Sequence, residues 1–295
     1  MLLLTGATGR VGSALLRRLT AARTPVRCLV RDPRRLGAER VRVQIALGDL
    51  ADPPSFRNAL RGVTTVVHLA ASIRDQPRGS IEELNGIATW RMVQAAEGAG
   101  VEHFVFASAL GASAHNRTRF LRAKALAEQA VAESSLRHTI VAPSIVYAPG
   151  DHLLTLLGRL ALLPVVPLSG RGDARFQPIW ADDVAECLVA VLDRPVDPDR
   201  RELRLELAGP DVHSYREFVR IVLQAAGRPR PLLPVPLGLA ARGLRLTEAL
   251  MGSAAPVTWD EAELLEVPMT SREGTADAER LGVSPRRLAA VLRAG

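Results

Sequence analysis

Short apolar runs alternate along the first half of the chain with segments whose apolar residues recur every three to four positions. Met1–Leu4, Val26–Val30, Val41–Ala46, Thr65–Ala71, Phe104–Ala107 and His138–Ala142 each read as a strand. Between them, helical patterns open at Val11 and run over Ser55–Leu60, Ile81–Ala99 and Phe120–Glu133. Near-continuously apolar strands separated by helices predict an α/β fold: a doubly wound parallel sheet covered on both faces. Right-handed crossovers then bring the carboxyl ends of the strands to one crevice.

The second half is less regular. Leu153–Leu163 predicts an apolar helix, and Pro164–Gly172 is rich in proline and glycine. Asp183–Leu192 predicts a helix capped by Asp183 with Glu186 in capping-box spacing, and Ser214–Ala226 repeats the pattern with Ser214 and Glu217. Leu203–Leu207 reads as a late strand and Pro229–Pro236 as a linker, followed by broken helical segments. The expected organisation is a core over 1–150, completed by about 176–208. A smaller, mostly helical C-terminal substrate lobe takes 151–175 and 209–295.

The richest local signal is Thr5-Gly6-Ala7-Thr8-Gly9-Arg10-Val11-Gly12, directly behind the first strand and opening a helix. A strand, a tight glycine turn and a helix N-terminus together bind a pyrophosphate. Gly6 permits the turn, Gly9 admits the phosphates and Gly12 allows helix and strand to pack closely. The spacing is G-x-x-G-x-x-G, a variant of the Rossmann dinucleotide fingerprint. Cofactor choice follows from the end of the second strand. Val30 stands where an NAD-binding chain presents a carboxylate, Arg31 follows, and Arg34 and Arg35 lie close by. Asp32, beside Pro33, reads as a turn residue. The expectation is NADP(H) in preference to NAD(H).

Composition narrows the partners. The 295 residues are 47% hydrophobic, enough for a sizeable core, and no apolar run reaches bilayer length. With a strand at the very start, no leader is expected and the expected location is cytoplasmic. Cys28 and Cys187 fall in apolar stretches and read as buried thiols. No His, Cys and carboxylate cluster has metal-ligand spacing, so no metal is expected; His68 reads as a satisfied core or crevice histidine. The net charge of +7 is scattered and aromatics are 4%, so no nucleic-acid partner is expected. Arg242 and Arg245, flanked by leucines within Leu239–Met251, permit peripheral contact with a membrane surface. Lys124 is the single lysine among 38 basic residues. A lysine kept against so strong an arginine preference points to a place that only a compact point charge fits.

Taken in order, these pieces resemble the extended and atypical short-chain dehydrogenase/reductase superfamily. The matching pieces are Thr5–Gly12, Gly48-Asp49-Leu50, His68-Leu69-Ala70-Ala71, Asn85, Phe106-Ala107-Ser108, Lys124, Pro143–Tyr147, Gln177-Pro178-Ile179 and Asp183-Val184-Ala185. Within it the likeness is to epimerase-like proteins, the nucleotide-binding accessory subunit of respiratory complex I and NmrA-like proteins. The resemblance implies that Asp49 reaches the adenine, that Leu50, Ala70, Ala71 and Pro143 border the cofactor, and that Lys124 binds the nicotinamide ribose. It also implies a Tyr four residues before the lysine as general acid/base, and here that position is Phe120, which has no proton to give. Ser108 and Tyr147 remain as candidate proton donors near the nicotinamide.

The lobe from Leu153 onward offers Leu, Val and Pro and few polar groups, which suits an apolar ligand such as a quinone, lipid or small ketone, or else simply packs the lobe. Two function classes stay open: an NADP(H)-dependent oxidoreductase with an atypical active site, and a non-catalytic NADP(H)-binding redox sensor or assembly factor recognised by a protein partner. The lost tyrosine argues against a sugar-nucleotide epimerase or dehydratase. Oligomeric state is not legible.

Overall fold

The computed structural model describes residues 1–194 and 202–294. The first six strands are β1 (Leu2–Thr5), β2 (Val26–Val30), β3 (Gln44–Leu47), β4 (Thr65–His68), β5 (His103–Ala107) and β6 (Arg137–Pro143). Four short ones follow: β7 (Val146–Tyr147), β8 (Val166–Ser169), β9 (Arg175–Phe176) and β10 (Ile179–Trp180). The remaining three are β11 (Glu202–Leu207), β12 (His213–Ser214) and β13 (Leu232–Val235). Seven of them form one sheet in the order β11-β6-β5-β4-β1-β2-β3, with every pairing parallel. The chain therefore starts mid-sheet and winds outward in both directions, which places the topological switch point, and the ligand crevice, between β1 and β4.

Helices cover both faces. They are α1 (Arg10–Ala21), α2 (Pro53–Phe56), α3 (Ala88–Gly98), α4 (Arg119–Ala132), α5 (His152–Leu160) and α6 (Ala181–Asp193). The C-terminal part adds α7 (Tyr215–Ala225), α8 (Leu237–Met251), α9 (Trp259–Leu264), α10 (Ala276–Arg280) and α11 (Leu288–Ala294). The period-2 alternation of β1 divides the core. Leu2 and Leu4 pack with Leu15, Leu16 and Leu19 of α1 and Leu188 of α6, whereas Leu3 packs with Met92 and Val93 of α3 and with Phe104. Each fully buried leucine here contributes about 1.5–3 kcal/mol. A third cluster, including Leu157, Val166, Phe176, Phe218 and Leu223, packs the later elements together and onto Leu110 and Ala142. Cys28 and Cys187 are both buried and free, and burial pushes each thiol up to about 12.

Several expectations are corrected. Val41 does not begin β3: it closes a 3-10 stretch, Pro33–Val41, and is 80% exposed, because β3 is an edge strand with few core contacts to recruit it. β4 stops at His68, since Leu69 and Ala70 leave the ladder to approach Gly6. The helix from Ile81 opens with a π turn, Glu83–Ile87, before α3. Pro164–Gly172 and Pro229–Pro236 are not plain connectors, because β8 and β13 lie within them and pair in parallel. Asp183 is not a helix cap. α6 begins at Ala181 behind Trp180, and Asp183 accepts the backbone N–H of Arg286 instead. The capping box at Ser214 and Glu217 is present on α7. Of the closing segment 176–208, residues 195–201 lie outside the described residues, as does residue 295 of the lobe.

Candidate functional site

The turn after β1 is forced by close packing. Gly6 has φ 70°, and a Cβ there would stand 2.6 Å from the backbone nitrogen of Ala70. A Cβ on Gly12 would stand 2.1 Å from the Gly6 carbonyl oxygen, so α1 is seated directly on the turn. Gly9 differs. Its Cβ would meet only the Gly6 oxygen, at 3.2 Å, and its outer side is exposed. Gly9 caps α1 without a side-chain bond. The first N–H groups of the helix, at Arg10, Val11 and Gly12, thus lack intrahelical partners and carry the positive end of the dipole. A cradle that added Cβ atoms would fill, closed by free amides, fits a pyrophosphate.

Hydrogen bonds tie this turn to its neighbours. Thr5, His68 and Phe106 lie abreast on β1, β4 and β5. The N–H of Ala70 donates to Thr5 Oγ1 (3.4 Å), and the Thr5 hydroxyl donates to His68 Nδ1 (2.9 Å). Thr89 donates its own proton to the Asn85 carbonyl (2.6 Å), so His68 Nε2 carries the hydrogen shared with Thr89 Oγ1 (3.2 Å). This assigns one neutral tautomer. Burial, and secondarily the charge of Lys124, push His68 down to about 3. Asn85 in turn clamps Ser72 in both directions, accepting its N–H (3.2 Å) and donating to its carbonyl (2.7 Å). Ala70 and Ala71 therefore sit between two pinned points beside the glycine turn.

Lys124 projects from α4 toward the end of β5. It is 2% exposed, its Nζ donates to the Ala107 carbonyl at 2.6 Å, and it lies 4.8 Å from the Phe106 ring centre and 5.8 Å from that of Phe120. Burial pushes its amine down to about 7, opposed by the charge of Glu128. Ser108, next to Ala107, is buried, and its Oγ finds no hydrogen-bond partner among the described residues. The Tyr147 hydroxyl is likewise buried and unpartnered, and burial raises it above the usual phenol range. Phe120 is half-buried and packs with Ala109, Leu121, Leu264 and Val267. Pro143 ends β6, and its carbonyl accepts the N–H of Leu110 (2.9 Å).

At the adenine end, Arg31, Arg34 and Arg35 are exposed behind β2, while Asp32 spends its carboxylate on the N–H of Arg34 (2.9 Å). Asp49 follows β3 and accepts the N–H of Ala51 (3.1 Å), with Leu50 half-buried beside it. Arg10, at the start of α1, lies 3.9 Å from Asp151, the capping residue of α5.

A family described as NAD(P)H-binding matches residues 6–195. This chain belongs to that family. It is 30% identical over 263 residues to the sterol demethylase protein B of Methylococcus capsulatus, covering 79% of this chain and 77% of the relative. It is 29% identical over 259 residues to the NAD(P)H azoreductase of Xenophilus azovorans, covering 85% and 83%. Among solved structures, a nucleoside-diphosphate-sugar epimerase from Staphylococcus aureus superposes with a TM-score of 0.79 at 21% identity, covering 99% of each chain. Together these place the family member within the atypical short-chain dehydrogenase/reductase superfamily, as the motifs implied.

Sequence reasoning missed two sets of residues in this NAD(P)H-binding protein. Thr5 and Thr89 complete the hydrogen-bond chain at His68: strand register sets Thr5 beside it, and the packing of α3 on the sheet brings Thr89. The second set lies at the rim. Arg119 contacts Asp75 (2.9 Å), Glu82 (2.7 Å) and Asp260 (3.3 Å), and Arg74 grips Glu261 at 2.7 Å. Their partners are up to 187 positions away, so no local pattern announces them. Among the described residues, no group of three His, Cys, Asp or Glu could hold a metal ion. The Leu153–Leu163 stretch is mostly structural: Leu157 is core, and Leu153, Leu154 and Leu160 pack on the same cluster.

Proposed function

We propose that this protein is an NADP(H)-dependent oxidoreductase acting on an apolar carbonyl or quinone-type acceptor without the usual tyrosine acid/base, whose position is Phe120. The observation that carries the reading is the corner at the end of β5. There Lys124 is anchored on the Ala107 carbonyl and the adjacent Ser108 keeps a buried hydroxyl without a partner. A buried donor left unpaired costs about 1–3 kcal/mol, which a bound ligand would recover. When bound, the reduced nicotinamide supplies a hydride. Ser108 would donate a hydrogen bond to the acceptor's oxygen. Lys124 would hold the ribose hydroxyls, and an amine near neutrality can also take up or release a proton at working pH. Tyr147 is the alternative donor, although its burial disfavours ionisation.

The preference for NADP(H) rests on Arg31, Arg34 and Arg35, with Asp32 turned into its own loop. No free carboxylate is left there to hold a ribose 2′-hydroxyl, and the exposed guanidinium groups would be available to a 2′-phosphate. The relatives named for a sterol demethylase and an azoreductase support an apolar acceptor. A second reading, a binding-only redox sensor, is favoured by Phe120, whose ring fills the proton donor's place with apolar contacts from Leu264 and Val267.

Titration with NADPH and NADH, followed by a panel of quinones, aldehydes and azo compounds, tests both. NADPH should bind more tightly, and Arg31→Ala should erase the difference. Sustained NADPH oxidation that falls in Ser108→Ala supports the enzyme. Tight binding without turnover, unchanged in Phe120→Tyr, would instead establish the sensor.

A further inference from the structure

Helix α8 stands apart from the rest of the fold. It runs 15 residues, Leu237–Met251, and none of them is buried. Its inner side is engaged with α9. Glu248 accepts the backbone N–H of Trp259, and Arg245 lies over the Trp259 ring at 5.7 Å. Glu248 is the helix's single carboxylate, so this contact draws its acid toward the protein.

The outer side is apolar. Leu239, Leu246 and Leu250 are 59%, 62% and 78% exposed. Their spacing of seven and four residues aligns them on one stripe. Arg242 is exposed beside that stripe, whereas Arg245 lies on the α9 side over the Trp259 ring. A surface helix in a globular domain normally turns its leucines inward and its charges outward; here leucines and a cation share the outward face. With the one carboxylate turned away, the exposed face of the helix offers large apolar side chains beside the cation of Arg242 and no negative charge. That combination complements an anionic, apolar-centred surface, and the net charge of +7 adds long-range attraction of the same sign. A protein partner of ordinary polarity would leave Arg242 to be paired on its own, whereas anionic headgroups over acyl chains satisfy both features at once.

We infer that α8 is a membrane-surface anchor: it lies in the plane of an anionic bilayer, with Leu239, Leu246 and Leu250 in the acyl boundary and Arg242 at the headgroups. It does not span, because no described helix is long and apolar enough to cross a membrane. The inference does not depend on the acceptor proposed above, since α8 carries none of the groups assigned to the cofactor or the reaction.

Vesicle sedimentation of the full chain tests it. The probes are vesicles of phosphatidylcholine alone and of phosphatidylcholine with roughly one-third phosphatidylglycerol. The protein should partition onto the anionic vesicles, more weakly at high salt, and not onto the neutral ones. The double substitution Leu246→Ser and Leu250→Ser should cut that partition about tenfold or more, and Arg242→Glu should weaken it as well. All these positions are exposed, so NADPH affinity should stay unchanged and serves as the check of folding. Three results would overturn the inference. One is no partition onto either vesicle. Another is equal partition by wild type and the double variant, which would assign binding to bulk positive charge. The third is a mass of twice the chain in sedimentation equilibrium, lost in the double variant, which would assign the stripe to a second copy.

Discussion

Lys124 sets burial against hydrogen bonding at a single amine. The Ala107 carbonyl and the faces of Phe106 and Phe120 favour the cation, yet removal from water outweighs them and brings the amine down to about 7. In the unfolded chain a lysine keeps its proton to about 10.4. Between these values the unfolded state binds more protons than the folded one, so stability rises with pH across that window. His68, pushed down to about 3, acts with the same sign between pH 3 and its ordinary value of 6.5: acid protonates it in the unfolded chain first, and stability falls as pH drops. Thermal melts of the cofactor-free protein should show a Tm that climbs from pH 7 to about 8.5, above which the buried thiols of Cys28 and Cys187, protonated only in the folded chain, act with the opposite sign. Lys124→Met should flatten that climb and leave in place the acid limb, to which His68 and His103, both pushed down by burial, contribute. Equal slopes in the two proteins would show that the amine is hydrated. The same substitution should weaken NADPH binding about 10- to 100-fold through the lost charged hydrogen bonds to the ribose.

The glycine turn and α1 behave as one element in which each glycine has a separate duty. Gly12→Ala forces a Cβ to 2.1 Å from the Gly6 oxygen, a backbone atom that cannot retreat without lifting α1 from β1. Gly9→Ala meets only a 3.2 Å contact on the protein side and fills the side that phosphates would approach. Gly12→Ala should therefore lower both Tm, by about 5–10 °C, and NADPH affinity. Gly9→Ala should leave Tm within about 2 °C of wild type yet weaken binding about tenfold. Isothermal titration beside differential scanning calorimetry separates the two, and a Gly9→Ala protein with normal affinity would place the phosphates elsewhere.

This element was legible because strand, turn and helix are contiguous and each residue's reason is local. The Ser214–Glu217 capping box was legible for the same reason. The box expected at Asp183 and Glu186 failed because the helix starts two residues earlier and distant partners claimed both carboxylates: Asp183 takes the Arg286 N–H, and Glu186 lies 3.8 Å from Arg18 of α1. The β8–β13 pair was illegible on similar grounds, since proline-rich strands with partners more than sixty residues apart look like loops until the ladder is seen.

At the scale of the whole molecule, the helical C-terminal segment is fastened to the sheet beside the candidate site by arginine clamps. Arg74 leaves the loop after β4 to grip Glu261 of α9 with charged hydrogen bonds of 2.7–3.1 Å, and also donates to the Ala255 carbonyl (3.1 Å). Arg119, at the first turn of α4 and next to Phe120, gathers Asp75, Glu82 and Asp260. Both side chains are largely shielded, so these networks are worth more than isolated surface pairs, of order 1–3 kcal/mol each. They join the loop after β4, the start of α4 and α9, the three elements around Phe120, and they touch none of the glycine turn. The expected consequence is a separation of functions. Arg74→Ala should lower Tm by about 3–6 °C and speed hydrogen exchange in 255–267 and 72–80, while NADPH affinity stays within about twofold of wild type. If the acceptor sits under α9, its KM should rise with little change in NADPH affinity. Exchange and affinity that move together would mean that the clamp braces the cofactor cradle itself rather than the segment closing over it.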